Sequence, residues 1–440
     1  MKNIALWGYG KQGKWLYENI KQEWCREYRI TAVFDRKLAG TRTSDGREIL
    51  SPESLGDHYN EGLFEEVLIA LAYYWDRKEN QEMRRKLQEL SIPLCVPDNR
   101  RSFVPMDQFP SVERSLDLPF PKYHAAVLRG LSCFRPYLDE RCFLYDADGR
   151  ILGDFWYDHE LRQEPMIYAF RPSRPKQTER MLAGDWCLLS RCYGSNYWHF
   201  IFQAMDQAWI LEKMGFQGKY IVPAAPFVAP LMALIGVDGS RLLSVNELRF
   251  DACRLERVFC VAQDSRCQNP STAARVLAEM AQSVTSRPEI READGVYPDR
   301  LFVRRSKSRR LLKAEPLLER YGFSTIDPDE LSVEEQIRFF HAAKIVLSPH
   351  GANSANSLFM RPGSVLIETF PNNCIQPACI ETAAAVGVRY LEAVESRIQM
   401  RFVPGNKDPL DFYRDYDIAC ALLEHTIRNA IDLAEKGSRS

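Results

Sequence analysis

Residues 346–368 read VLSPHGANSANSLFMRPGSVLIE, and their small and polar side chains fill the gap between two apolar runs. Ligands of open α/β sheets collect outside the carboxyl ends of the strands. A first run ending at Ser348 delivers His350, Gly351 and Ala352 to that edge. A helix starting near Asn353 would aim free N–H groups and its positive dipole end there, an anion site worth about 0.3–2 kcal/mol from the dipole alone. Gly351 and Ala352 let a phosphate come close to the backbone, and His350 can donate to its oxygens or carry charge near neutral pH. Glu368 closes the second run on the same edge, where a carboxylate can accept two hydrogen bonds from a ribose diol. A tight strand-to-helix turn around a structural histidine accounts equally well for these residues.

Arg304-Arg305-Ser306-Lys307-Ser308-Arg309-Arg310 sets five cations in seven residues behind the apolar run 300–303. Guanidinium forks suit a diphosphate better than ammonium groups do. A solvated loop and an RNA-binding patch are the competing readings. A formal net charge of -1 and the lack of interleaved aromatic residues argue against nucleic acid.

The third cluster is SNYWHFIFQAMD, residues 195–206. On a continuous α-helix Asn196, His199, Gln203 and Asp206 share one face, with Trp198, Phe202, Met205 and Trp209 on the others. Such a stripe lines a cleft or meets solvent. In a cleft His199 is a candidate general base or sugar ligand, Asp206 its orienting partner or the base itself, and Asn196 and Gln203 acceptor ligands. A satisfied, buried histidine is the alternative.

The elements that must carry these groups alternate between strand and helix. Arg300–Val303, Phe323–Ile326, Ile345–Leu347 and Val365–Ile367 read as strands. Glu315–Tyr321, closed by Gly322, reads as a helix, and so does the run opened by the capping box Ser332–Glu335. That density argues for a parallel, helix-covered sheet. The N-terminus repeats the theme. Asn3–Trp7 is a strand, Gly8, Gly10 and Gly13 form a GxGxxG turn, and Asp35 ends the next strand where a ribose-binding acid sits in dinucleotide folds. The Pro-rich residues 105–121 read as a linker, Tyr145–Arg150 as a hairpin turn, Asn196–Lys213 as one helix, and 409–436 as largely helical. The expected division is 1–104 as a Rossmann-like module, 105–122 as linker, 123–290 as an acceptor lobe and 291–440 as a nucleotide-sugar lobe.

With 45% hydrophobic and 27% charged residues the composition is that of an ordinary globular protein. The first ten residues lack the apolar core of a signal peptide. The most apolar stretch, Ile221–Val237, contains three prolines and is too short for a membrane span, which needs about 20 residues. A cytoplasmic protein is expected, attached to a membrane, if at all, through partners. The twelve cysteines form no CxxC pair and read as reduced, half-buried small residues rather than metal ligands.

Taken together, NYWHFIF at 196–202, LFVRRSKSRR at 301–310, the block 322–352 and NSLFMRPGSVLIE at 356–368 resemble glycosyltransferase family 61 (DUF563-type) in order and spacing. The resemblance implies an α/β fold with a GT-B-like pair of Rossmann-like lobes, here preceded by the small N-terminal Rossmann-like domain. It implies inverting transfer from a nucleotide sugar, most simply a UDP-sugar, without an obligatory metal. Arg304 or Arg305, with Arg309, would neutralise the diphosphate. His350, Gly351 and Ala352 would hold it, Glu368 would bind the ribose, and His199 or Asp206 would activate an oligosaccharide or lipid-linked glycan acceptor in bacterial surface polysaccharide synthesis. The sequence departs from the family at Gln203, Asp206 and Gln207, at Lys313 and Ala314, and at Asn353, which suits the turn if it is left-handed. Asp146-Ala147-Asp148 and Asp327-Pro328-Asp329 spell DxD, the first in a turn and the second before a helix cap. The N-terminal module resembles those fused to bacterial sugar-modifying enzymes. There a docking role is weighed above an NAD-linked one, and a non-catalytic scaffold for polysaccharide assembly is the remaining alternative.

Overall fold

Ile4, Ala5, Leu6 and Trp7 are apolar on both faces, the pattern of a strand covered on each side. In the computed structural model they form the middle of a small parallel sheet. The structure describes residues 2–10, 13–14, 17–18, 28–70, 78–95, 103–104, 106–120, 123–134, 142–147, 150–152, 180–189, 194–248, 253–263, 274–291, 297–371, 378–395 and 414–437. Contacts divide the chain into two units, Met1–Arg114 with Ala126–Asp185 and Leu248–Val258, and Ser115–Ala125 with Trp186–Glu247 and Phe259–Ser440.

In the first unit β1 (Lys2–Trp7), β2 (Tyr28–Phe34) and β3 (Glu66–Ile69) pair in parallel in the order β2-β1-β3. Gly8 follows β1 at φ +102°, and its N–H bonds Phe34 O at 2.7 Å. A Cβ on Gly13 would overlap Gly8 O, whereas above Gly10 there is open space. The outer glycines therefore answer steric demands of the turn.

Beyond this sheet come β4 (Phe103–Val104), β5 (Val112–Leu116), β6 (Tyr123–Arg129), β7 (Ser132–Phe134), β8 (Phe143–Tyr145) and β9 (Ile151–Leu152). Residues 105–121, read as a linker, contain a 3-10 turn at Met106–Gln108 and β5, which pairs with β6. Pro110 and Pro119 lie outside that strand, where they do not interrupt its ladder. The turn between β8 and β9 is closed by Asp146, whose N–H bonds Arg150 O at 3.0 Å and whose carboxylate takes Arg150 N and Nε. Asp148 and Gly149 lie outside the described residues.

In the second unit the end of β10 (Arg180–Leu188) pairs in parallel with β11 (Lys219–Val222), and β11 with β12 (Leu242–Ser244). The apolar stretch 221–237 gives the end of β11 and a helix, Val228–Leu234. After β13 (Cys253–Gln263) come β14 (Arg300–Val303), β15 (Ser324–Ile326), β16 (Ile345–Pro349), β17 (Val365–Phe370) and β18 (Arg389–Val394). These five form an all-parallel sheet in the order β15-β14-β16-β17-β18. β16 and β17 run past the expected ends at Leu347 and Ile367, and every residue of both is buried. β15 lies on one side of β14 and the chain then crosses to β16 on the other, so the topological switch point lies between the carboxyl ends of β14 and β16. Ser332 caps the helix Val333–Ala342 through a complete capping box with Glu335. The C-terminal helix is Cys420–Gly437, shorter at its start than the run 409–436; residues 409–413 lie outside the described set. Among the described residues no helix is long and apolar enough to cross a membrane, and no three His, Cys, Asp or Glu side chains group as a metal site.

Candidate active site

The carboxyl ends of β14 and β16 release the two segments singled out in the sequence, and one residue joins them. Arg305 is half-buried, bonds Ser308 O through Nε at 2.7 Å, and directs Nη1 to His350 O at 3.3 Å. Its guanidinium lies against Gly351, where any Cβ would overlap it. Gly351 is extended at φ 165°, so room for Arg305, and not an unusual backbone, is what its missing side chain provides. Burial, with Arg309 adding repulsion, pushes the Arg305 guanidinium down to about 10. Among the described residues no carboxylate stands within ion-pair distance of it. Two guanidinium groups near each other at a switch point, one without a carboxylate partner, favour an anion.

Other cations of the loop are spoken for. Arg304 is exposed and lies 3.8 Å from Asp327. Lys307 pairs with Asp329 at 3.3 Å, and Ser306 donates to the same carboxylate at 3.0 Å. Asp327 also caps the 3-10 turn Pro328–Glu330 by accepting Asp329 N. Both acids of this DxD are tied to their own loops. A cavity of about 310 Å³ opens here, lined among others by Phe302, Arg304, Arg305, Arg310, Lys313 and Asp327, a volume within the small-ligand range.

His350 is buried and stacked on Phe370, with Nδ1 2.8 Å from Glu368 Oε1. Tyr390 donates to Glu368 Oε2 at 2.8 Å. Glu368 is fully buried. It is therefore not open to a ribose diol, as the sequence reading had it; it holds the imidazole. A carboxylate accepts, so Nδ1 of His350 carries a proton. Ala352 and Asn353 are half-buried at the start of a helix of the 3-10 type, Ala352–Phe359. Asn353 is not left-handed; among the described non-glycine residues Ser91, Arg309 and Lys313 are.

The helix carrying His199 is broken in phase. Tyr197–Phe200 is α-helical, Ile201–Met205 is π-helical and Asp206–Lys213 is α-helical again. A π segment inserts residues relative to the α repeat, turning the later residues by roughly 100°, the step of one α-helical residue. Asp206 accordingly leaves the face of His199. It is fully buried and accepts the Tyr123 hydroxyl at 2.6 Å, which corrects its assignment as a base. Asn196 is the N-cap, accepting Trp198 N at 3.0 Å and His199 N at 3.4 Å. It shapes the turn instead of projecting from it. His199 keeps Gln203, with Nδ1 3.0 Å from Oε1. A carboxamide oxygen accepts, so Nδ1 holds the proton and Nε2 the lone pair. Burial pushes His199 below its usual 6.5, against the pull of Gln203, which keeps the imidazole neutral near pH 7.

In the N-terminal module Asp35 Oδ2 accepts Tyr9 N at 2.7 Å, and Oδ1 accepts Lys37 N and Leu38 N. Both oxygens serve the local backbone, which does not fit the expected ribose ligand. Gly8, Gly10 and Gly13 retain the turn without it.

Two groups of residues escape sequence reasoning. Tyr390 and the segment 414–417 lie far from the motifs they serve, and nothing local marks them. Tyr197 and Asn356 fall inside quoted motifs, but as neighbours of a histidine and a glycine they read as packing.

A search of curated proteins gives no match. Solved structures include UDP-D-quinovosamine 4-dehydrogenase from Vibrio fischeri, 24% identical over 21% of this chain and 73% of that one, with a TM-score of 0.19. The metal-soaked Flv1 flavodiiron core from Synechocystis sp. PCC6803 is 10% identical over 93% of this chain and 81% of that one, with a TM-score of 0.21. At these scores neither supports a fold or a function. The model of the family described as Glycosyltransferase 61 matches residues 197–367. That span begins at the histidine helix and takes in the arginine loop, His350 and the first half of β17, and over it this chain is similar to glycosyltransferase family 61.

Proposed function

We propose that the protein transfers a sugar, with inversion, from a nucleotide diphosphate donor to a glycan acceptor, and that the diphosphate sits where Arg305 meets Gly351. The observation that carries this reading is Arg305 itself: a half-buried guanidinium at the switch point, next to Arg309, with its charge left for a ligand. As the sugar leaves, negative charge grows on the diphosphate, and preorganised cations are worth most at that moment. The His350 carbonyl accepts Arg305 Nη1 at the same edge, and the imidazole is held by Glu368.

His199 is the base in this reading. It is neutral near pH 7 with its lone pair on Nε2, and can take the acceptor hydroxyl proton as the new bond forms. The reaction needs no obligatory divalent ion, because the arginine loop supplies the counter-charge such an ion would give and the acids of Asp327-Pro328-Asp329 are engaged with that loop. The same reading makes residues 123–290 the acceptor side and 291–440 the donor side of a GT-B-like pair, with a UDP-sugar as donor and a bacterial surface glycan as product.

A thermal-shift series over nucleoside diphosphates and their sugars tests it. UDP or a related diphosphate raises Tm, by about 2.7 kcal/mol of stabilisation at a hundred times Kd, and Arg305→Ala removes the shift. Absence of a shift with every nucleoside diphosphate overturns the proposal. Sugar transfer that survives chelation of divalent ions supports the metal-free route, and loss of transfer in EDTA overturns that part alone.

A further inference from the structure

The arginine loop is held by a segment outside the matched span. Arg309 and Lys313 sit at φ 55° and 56°, left-handed conformations that non-glycine residues keep only when their surroundings impose them. The surroundings are residues 415–417. Leu311 and Tyr416 form a parallel bridge, with Tyr416 N bonded to Arg310 O at 3.0 Å and Leu312 N to Tyr416 O at 2.8 Å. Asp415 accepts Arg310 N and Arg310 Nε, each at 2.9 Å. Asp417 accepts Lys313 Nζ at 2.8 Å. The Tyr416 hydroxyl, deep in the core, donates to Thr369 O at 2.9 Å, the same carbonyl that accepts His350 N at 2.9 Å. One short segment thus grips the arginine loop and anchors to the backbone of the histidine turn. It also sorts the cations: Arg310 and Lys313 are neutralised, while Arg305 is not.

We propose that Asp415 and Tyr416 are positioning residues of the donor site, fixing the arginine loop so that Arg305 faces the anion. The proposal rests on the reading of Arg305 given above. It makes a prediction opposite in sign to simple electrostatics. Asp415→Asn removes a negative charge beside an anion site, so charge alone would tighten anion binding, whereas loss of positioning weakens it.

The test is calorimetric titration of the full-length chain with inorganic pyrophosphate, with hydrogen exchange read in parallel. Asp415→Asn is expected to weaken pyrophosphate binding about tenfold and to speed amide exchange at Arg310 and Leu312, leaving Ile345–Pro349 protected. Asp415→Glu recovers most of the affinity. Tyr416→Phe, which keeps the buried ring, is expected to weaken binding severalfold and decides the matter if Asp415→Asn fails to fold. Unchanged or tighter binding in both variants, while Arg305→Ala still abolishes it, overturns the positioning role and leaves the donor site standing. Pyrophosphate binding unaffected by Arg305→Ala, or absent from the wild type, overturns both.

Discussion

The Tyr197 hydroxyl donates to Asn356 Oδ1 at 2.7 Å, joining residues 159 apart in sequence. Asn356 passes the chain on through Nδ2 to Gln336 Oε1 at 3.1 Å, and Gln336 Nε2 bonds Pro328 O at 2.9 Å. All three side chains are buried. The helix that carries His199 is thereby fastened to the 3-10 helix that follows His350 by a polar network in the core.

Tyr197→Phe leaves the Asn356 oxygen without this donor in a dry place, which costs about 1–3 kcal/mol. Denaturant unfolding of the variant checks this, and an effect below about 0.5 kcal/mol would show that the bond does not bind the two helices together.

Gly351→Ala separates binding from folding. The added methyl displaces Arg305, a flexible side chain, while the extended backbone accepts alanine freely. Stability should change by less than about 1 kcal/mol, and affinity for UDP should fall at least about tenfold, or 1.4 kcal/mol. Retained UDP affinity in Gly351→Ala would sink the placement of the anion against Arg305.

His199 gives the pH dependence its sign. Its folded pKa lies below the usual 6.5 because burial disfavours the imidazolium. The base form therefore persists into mildly acidic solution, and kcat/KM should fall only as pH drops through a value below 6.5. The same depression means that neutral His199 contributes stability above pH 6.5 that is lost as pH falls. His199→Gln should flatten the acidic limb of the stability profile and abolish transfer. A limb that persists in the variant assigns the titration elsewhere.

Glu368→Gln replaces an acceptor of two hydrogen bonds, from His350 and Tyr390, by a group with an N–H facing one of them. The buried mismatch should cost about 1–3 kcal/mol of stability. It should also loosen His350, so that kcat falls more than KM rises. A change in KM alone would make Glu368 a ligand of the substrate after all.

The strands, the capping box at Ser332 and the turn at His350 were legible because each is set by neighbours in the chain: an apolar run, a Ser three residues before a Glu, small residues at a strand end. Asp206 was misplaced because the hydrophobic pattern of 196–213 fits an α-helix throughout, and five π-helical residues leave no compositional mark. Glu368 looked like a ligand because a carboxylate at a strand end is visible in sequence, while the tyrosine that occupies it arrives from β18. Asp415 and Arg310 are 105 residues apart, and a pairing of that kind follows from tertiary packing, which no local rule encodes.

β17 runs from Val365 to Phe370, yet the stretch shared with the family stops at residue 367. A fragment trimmed to that stretch would sever a fully buried strand at its midpoint and discard Thr369, Tyr390 and the acids that quiet Arg310 and Lys313. The excised piece would carry the arginine loop and His350 and lack the means to hold them in register. Transplants and truncations of this chain should keep the polypeptide through Asp417 at the least.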